Sequence, residues 1–200
     1  MPDKPTKTKV EQREATMQKL IEVGRDLFTQ YGYAQTPTEE IVEQAGVTRG
    51  ALYHHFGSKE GLLAAVLEMI QREVAQAVEA AANESNDLWE QLVRGCRAFL
   101  KASVDPQVQR ILLVDAPAAL GWEKWRELDA ANSMVLLQDV LTELVAQKIF
   151  KPIPVAALTH LLSGAMNEAA LWVAQTADRD QALADANQAL EQLLWGLRNT

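Results

Sequence analysis

Two glycines and a threonine between residues 36 and 57 constrain the fold of this chain more than any other part of its sequence. Gly46 is placed to take the left-handed conformation that ends a helix of about two turns, and Gly57 is placed to end the next one. Thr48 can cap that second helix at its start. Two short helices joined by a glycine turn predict a helix-turn-helix, whose second helix enters the major groove of DNA.

The first short helix has a clear start signal. Thr36 is a favourable N-cap, Pro37 suits the first helical position, and Glu39 stands three residues after Thr36, as a capping box requires. We therefore expect Thr36 to cap this helix. Its apolar face is formed by Ile41, Val42 and Ala45.

The side chains of the second short helix divide between two faces. Leu52 and Phe56 are four residues apart and should pack inward, which leaves Arg49 to point outward. Arg49 can donate two hydrogen bonds to a guanine edge, and the methyl group of Ala51 could touch a thymine methyl group. Gly50 lets the start of the helix approach DNA closely, where its N–H groups favour a phosphate. Further donors that could fix the position of the DNA backbone are Tyr53, His54, His55 and Lys59.

Residues 15–65 as a whole resemble the DNA-binding segment of the TetR family of repressors. The motifs that carry this resemblance are Tyr31-Gly32-Tyr33, Ile41-Val42, Ala45-Gly46-Val47, Leu52-Tyr53, His55-Phe56 and Ser58-Lys59-Glu60. By position, the resemblance implies DNA contacts at Thr38, Thr48, Arg49, Gly50, Tyr53, His54, His55 and Lys59. Beyond residue 65 the resemblance rests on chain length and on the helical pattern alone.

Helical spacing of apolar residues continues along the rest of the chain, and no strand or hairpin signal occurs. Helices are predicted at residues 9–31, 36–46, 48–57, 58–82, 87–103, 105–117, 121–148, 154–176 and 178–198. This pattern predicts an all-α fold. The resemblance implies an N-terminal three-helix DNA-binding domain at residues 1–57 and a C-terminal six-helix ligand-binding and dimerisation domain at residues 58–200. The helix at 58–82 is the candidate lever between them.

The last two predicted helices are candidates for a homodimer interface. The helix at 154–176 carries small residues that let a partner helix approach, and the helix at 178–198 is more apolar than one buried face requires. A two-fold dimer would present its two reading helices to two half-sites. The alternative is that both helices close the core of a monomer.

Family resemblance also implies a small-molecule site in the C-terminal domain. The candidate lining residues are Trp89, Cys96, Phe99, Trp122, Trp125, Met134, Asn167, Glu168 and Trp172. Aromatic walls with a few polar groups suit an apolar ligand, although these residues could equally form plain core. If Glu168 is buried it needs a partner, and His160, Arg94 or a second subunit could supply one.

The composition of the chain restricts its binding partners, its disulfides and its cellular compartment. The net charge is −8, with 8 Lys+Arg against 9 Asp+Glu in residues 1–60 and 11 against 18 in residues 61–200, so the DNA-binding segment is not broadly basic. Basic residues do occur in the tail at residues 1–8, with Lys4 and Lys7. The single cysteine, Cys96, excludes an intrachain disulfide. With no apolar run of transmembrane length and no signal core at the N-terminus, we expect a cytoplasmic protein without membrane contact.

Two other classes of protein are alternatives to a DNA-binding regulator. No metal-binding, phosphate-binding or nucleophile motif is present, and adjacent His54 and His55 diverge on a helix, so we expect no enzyme, cofactor or metal site. A helical adaptor dimer without specific DNA binding is the alternative that the near-neutral N-terminal segment leaves open. The preferred hypothesis is a homodimeric repressor of a palindromic, double-stranded DNA operator, released by a small molecule.

Overall fold

The computed structural model describes residues 8–199, and this part of the chain is helical with no strand. A single antiparallel bridge joins Phe150 and Arg198. The helices are α1 (Lys9–Tyr31), α2 (Thr38–Ala45), α3 (Arg49–Phe56), α4 (Lys59–Ala82), α5 (Leu88–Ser103), α6 (Pro106–Gln109), a π-helical segment (Arg110–Asp115), α7 (Ala116–Leu120), α8 (Trp122–Ala130), α9 (Ser133–Ala146), α10 (Val155–Gln175) and α11 (Arg179–Trp195). The predicted all-α fold is confirmed. None of the described helices is both long and apolar enough to cross a bilayer.

The chain forms two compact units, Met1–Leu67 and Glu68–Thr200. Their boundary falls inside α4, whereas the sequence suggested a division after Gly57, where one helix ends and the next begins. The predicted basic tail, including Lys4 and Lys7, lies largely outside the described residues. Thr8 is described, and it caps α1: its hydroxyl accepts from the N–H of Glu11 at 3.2 Å while the Glu11 carboxylate accepts from the N–H of Thr8 at 2.7 Å.

The first unit is built around a core of apolar side chains from all of its helices. Those that are completely buried include Leu20, Phe28, Ile41, Leu52, Leu62 and Leu63. Gly24 allows α1 to approach α4 closely, because a Cβ atom at this position would lie 3.2 Å from Cδ2 of Leu62. Gly46 ends α2 with φ 64° and ψ 36°, which is the left-handed conformation that the sequence predicted.

The prediction that Thr36 caps α2 is wrong. The helix begins at Thr38, and no side chain caps it. Thr36 is fully buried, and its hydroxyl donates to the carbonyl oxygen of Gly32 at 2.8 Å and lies 3.3 Å from that of Leu27. The hydroxyl therefore satisfies the carbonyl of Gly32, which follows the last turn of α1 and has no helical partner.

The second unit packs α5 against α9, α10 and α11. One face of α5 is buried along its length, through Trp89, Leu92, Val93, Gly95, Cys96, Phe99, Leu100 and Ser103. Apolar side chains from the rest of the unit complete this core, among them Ile111, Leu141, Leu144, Phe150, Ala170 and Leu194. The second unit thus has a hydrophobic core of its own.

The predicted end of a helix at residues 115–117 is wrong, because the chain stays helical to Leu120. Pro117 stands in the first turn of α7, where its missing N–H is tolerated. In the preceding π segment the N–H of Ala116 bonds to the carbonyl of Ile111. The same pattern would pair the carbonyl of Leu112 with the N–H of residue 117, which proline lacks. The indole N–H of Trp125 donates to that carbonyl instead, at 2.7 Å.

The single helix predicted for residues 121–148 is also wrong, since α8 and α9 are separate helices. The break falls at residues 131–132, where Asn132 has the non-helical angles φ −122° and ψ −104°. The side-chain amide of Asn132 donates to the carbonyl of Leu128 at 2.7 Å. Asparagine side chains compete in this way with the backbone hydrogen bonds that would continue a helix. Because of these breaks, the described residues contain more helices than the nine predicted.

Candidate DNA-binding surface and effector cavity

Helix α3 presents the polar face that the sequence predicted. The hydroxyl of Thr48 accepts from the N–H of Ala51 at 3.2 Å, which fixes the start of the helix. Leu52 is buried and Phe56 is half-buried. The exposed residues of α3 are Arg49, Gly50, Tyr53 and His54. Thr38, at the start of α2, is half-buried.

Arg49 is held in place by two neighbours. One of its terminal nitrogens, Nη1, lies 2.6 Å from the Glu39 carboxylate, and Nη2 donates to the hydroxyl of Tyr53 at 3.2 Å. The guanidinium carbon also lies 5.4 Å from the centre of the Tyr53 ring. The side chains of Arg49 and Glu39 remain 60% and 64% exposed, so DNA can reach this guanidinium.

The two histidines of α3 differ in environment. His54 is exposed, whereas His55 is half-buried and its Nδ1 atom is buried without a hydrogen-bond partner. Burial, and after it the charges of His54 and Arg13, lower the pKa of His55. The lowered pKa favours the neutral form of His55, and His54 is the more exposed of the two side chains. Residues 8–199 contain no group of three or more His, Cys, Asp or Glu side chains that could hold a metal ion.

Lys59 contacts the loop that follows α1. Its ammonium group donates to the carbonyl of Tyr33 at 2.6 Å and lies 4.2 Å from the centre of the Tyr33 ring. Burial, and then the Glu60 carboxylate, raise the pKa of Tyr33 to about 12, so its hydroxyl stays protonated. Lys59 thus joins the start of α4 to this loop, a structural role that sequence reasoning missed.

The second unit contains a cavity of about 320 Å³. Its walls come from α4, α5, α8, α9 and α10 and the residue after α4. The side chains that line it are those of Val78, Glu79, Ala82, Asn83, Leu88, Gln91, Leu92, Cys96, Phe99, Asp129, Ser133, Met134, Leu136, Leu137, Asp139, Val140, Glu143, Ser163 and Met166, with Gly95 between them. This volume lies within the range of small-molecule sites.

Three of the predicted ligand-site residues, Cys96, Phe99 and Met134, are brought together in this cavity. The other six do not line it. Trp89 packs edge-on against Trp195, with ring centres 5.4 Å apart, and Trp125 binds the carbonyl of Leu112. The remaining four lie elsewhere on α8 and α10, with Asn167 half-buried and Trp122, Glu168 and Trp172 exposed.

Glu168 is not the buried carboxylate of this domain. That carboxylate is Asp129, which is 5% exposed and which sequence reasoning missed. Its Oδ2 atom accepts from Nη1 of Arg126 at 2.6 Å and from the hydroxyl of Ser163 at 3.4 Å. The three-residue spacing from Arg126 to Asp129 on one helix was the available signal. The proposed partner Arg94 instead binds Glu84, at 2.9 Å.

Arg126 organises the polar groups behind the cavity. Besides Asp129, its guanidinium contacts the hydroxyl of Ser163 at 3.0 Å and Nδ1 of His160 at 3.3 Å. Burial raises the pKa of Asp129, while the charge of Arg126 and the hydrogen bonds from Ser163 and Arg126 oppose that rise. The cavity wall therefore contains a carboxylate, that of Asp129, whose negative charge is partly compensated by Arg126.

Each of the two units matches a known family of protein domains. Residues 20–66 match the family model of bacterial regulatory proteins of the tetR family, and residues 89–197 match that of the tetracyclin repressor-like C-terminal domain. A crystal structure of a TetR-family transcriptional regulator from Pectobacterium atrosepticum is 37% identical, with a TM-score of 0.80, and the match covers 97% of this chain and 99% of that one.

Two further relatives extend the comparison. The transposon Tn10 TetC protein of Escherichia coli is 25% identical over 151 residues, which is 76% of each chain. The crystal structure of RolR with the ligand resorcinol shares the fold at 19% identity, with a TM-score of 0.73 and coverage of 92% and 90%. The resemblance drawn from residues 15–65 is confirmed, and it extends over the C-terminal unit. The chain belongs to the TetR family, and it is a DNA-binding transcriptional regulator.

Proposed function

We propose that this protein is a repressor that binds a palindromic operator as a homodimer and leaves it when a small molecule enters the cavity of the second unit. The observation that carries the proposal is the division of α3, with Leu52 buried beneath a face that exposes Arg49, Tyr53 and His54. A guanidinium, a phenol and an imidazole on the first two turns of a helix can reach base edges and phosphates in a major groove.

The proposed dimer surface lies on α10 and α11. Four large apolar side chains are exposed there: Leu161, which is 71% accessible, and Trp172 on α10, and Leu193, which is 66% accessible, and Trp195 on α11. Exposed apolar side chains that are concentrated on two helices are typical of a protein–protein interface. Such a dimer would carry two α3 helices, and its two-fold symmetry would match a palindrome.

Helix α4 supports a route from ligand to DNA. It begins at Lys59, next to α3 in the chain, and its later residues Val78, Glu79 and Ala82 line the cavity. A ligand that binds one position of α4 better than another would shift the population toward that position and change the separation of the α3 helices. Ligand and DNA would then weaken each other's binding by the same factor. Equal ligand affinity for free and DNA-bound protein would contradict this mechanism.

Selection of bound sequences from a random double-stranded DNA pool tests the DNA-binding part of the proposal. We expect a palindromic site with two half-sites about one helical turn apart, or a multiple of it. Arg49→Ala in the same selection should lose preference at one position of each half-site. A folded dimer that enriches no motif would favour the alternative, a helical adaptor without specific DNA binding.

The dimer surface is tested by charge substitutions at exposed positions. Leu161→Glu and Leu193→Glu should give monomers by light scattering and should lose operator binding, while the helical circular dichroism is retained. Val135→Glu is the matched control, because Val135 is 45% exposed on α9, outside the proposed surface. Dimers in all three variants would place the interface elsewhere.

A further inference from the structure

We propose that the cavity of the second unit selects an organic cation, with an apolar body and a single ammonium or guanidinium group. This inference rests on the proposed role of that cavity as the effector site. The apolar part of the wall includes Leu92, Phe99, Met134, Leu137 and Met166. A ligand that fills the cavity must therefore be mostly apolar in order to displace water from these side chains.

All of the charged side chains that line the cavity are negative. Four carboxylates line the cavity, those of Glu79, Asp129, Asp139 and Glu143, and no lysine, arginine or histidine lines it. Opposite charges attract more strongly in a partly enclosed, apolar site than in bulk water, and like charges repel more strongly. A ligand with a carboxylate or phosphate group would meet this repulsion, whereas a cation would be stabilised.

Two of these carboxylates have no cation assigned to them in the described part of the chain. Neither Glu79 nor Asp139 takes part in an ion pair among residues 8–199, and Glu143 accepts from the neutral side chain of Gln147 at 2.7 Å. Asp129 is paired with Arg126, and its contacts with Arg126 and Ser163 both use Oδ2. The site therefore has more negative charge than the protein itself compensates.

The geometry favours an organic cation over a metal ion. No three carboxylate, histidine or cysteine side chains in residues 8–199 come close enough together to bind one metal ion. The four carboxylates instead stand on α4, α8 and α9, around an apolar space that includes the ring of Phe99. A cation with an apolar body can meet a carboxylate at one end and contact this ring, which is itself attractive to positive charge.

Three probes of similar shape and different charge test the proposal. These are 1-naphthylmethylamine, which is a cation at neutral pH, 1-naphthylmethanol, which is neutral, and 1-naphthoate, which is an anion. Calorimetry with the full-length protein at physiological salt should show one cation bound per chain, at least about tenfold more tightly than the alcohol, with the anion weakest. Equal binding of amine and alcohol, preference for the anion, or no binding of any probe would overturn the proposal.

Variants distinguish binding of the amine inside the cavity from its attraction to the net negative charge of the protein. Glu79→Gln and Asp139→Asn each remove one charge from an exposed side chain of the wall, and each should reduce the preference for the amine about threefold or more. Glu123→Gln is the matched control, since Glu123 is an exposed residue of α8 that does not line the cavity. An equal loss in the control would mean that the amine responds only to net charge, and this would overturn the proposal.

Operator binding in the presence of the amine distinguishes this proposal from the proposed function. Tight, charge-selective binding of the amine with unchanged operator affinity would leave the cation site in place and contradict ligand-controlled release. Release of DNA by the alcohol and the anion, with the amine no better, would support ligand control and contradict selection of a cation.

Discussion

Arg49 and Glu39 connect the two short helices of the DNA-binding segment, with Nη1 of Arg49 2.6 Å from Oε1 of Glu39. Both side chains are mostly exposed, and a surface ion pair of this kind contributes at most about 1 kcal/mol to folding. Its greater effect is on orientation. Together with Tyr53 it holds the guanidinium in a restricted geometry at the start of α3.

Arg49→Ala should weaken operator binding by about 1–3 kcal/mol and relax the preference at one base position. The reason is that the variant loses the two hydrogen bonds that we propose Arg49 donates to a base edge. The free energy of unfolding should change by less than about 1 kcal/mol. Fluorescence anisotropy with the selected operator and its single-base variants measures the first effect, and urea denaturation measures the second. Glu39→Gln is the companion variant, and it should retain the base preference.

Lys59→Ala should weaken binding to all DNA sequences by a similar factor. Loss of the ammonium also removes the hydrogen bond to the carbonyl of Tyr33, so the free energy of unfolding should fall by about 1–2 kcal/mol. Titrations with operator and scrambled DNA, alongside denaturation, test both effects. Lys101→Ala, at an exposed position of α5, is the control. A changed base preference in Lys59→Ala would contradict the positioning role assigned to this lysine.

Gly61→Ala should prevent the first unit from folding stably. A Cβ atom at this position would lie 1.9 Å from the carbonyl oxygen of Phe56, which is backbone and cannot move aside. We expect a loss of at least about 3 kcal/mol, at the upper end of what overpacking costs. Gly57→Ala is the control: its angles, φ 74° and ψ −39°, disfavour alanine by about 1–3 kcal/mol, but no atom lies within 4 Å. Similar denaturation midpoints for the two variants would contradict this account.

Cys96 should make stability depend on pH in the alkaline range. Burial raises the pKa of its thiol from 9.0 to about 12, so above pH 9 the unfolded chain releases a proton that the native chain retains. This contribution to stability is complete below pH 9 and is lost as the pH rises toward 12, at up to about 1.4 kcal/mol per pH unit. Denaturation of the wild type and Cys96→Ala between pH 8 and about pH 10.5 isolates it.

The difference in unfolding free energy between these two proteins should shrink as the pH rises. The native thiol should also resist an aromatic disulfide reagent at pH 8 and react fully in denaturant, because the thiolate is the reactive species. Rapid reaction of the native protein would show that Cys96 is accessible from the cavity.

The sequence by itself determined the parts of this protein that depend on residues close together in the chain. The cap at Thr48 and the left-handed Gly46 form as predicted, because each depends on hydrogen bonds or φ angles within about four residues. The spacing of Leu52 from the exposed Arg49 likewise follows from the helical period alone. The helix-turn-helix and the family could therefore be identified from residues 15–65.

Only the tertiary structure decided which hydrogen-bond partners the buried polar groups take and which residues line the cavity. Thr36 has the sequence features of a cap, yet its buried hydroxyl donates to the carbonyl of Gly32, which follows α1 and has no helical partner. Pro117 does not end its helix, since Trp125 supplies the donor that proline lacks. The residues that line the cavity could not be predicted from the local sequence pattern either. Whether an aromatic or acidic residue faces the core, the cavity or the solvent depends on helices that pack against it from elsewhere in the chain.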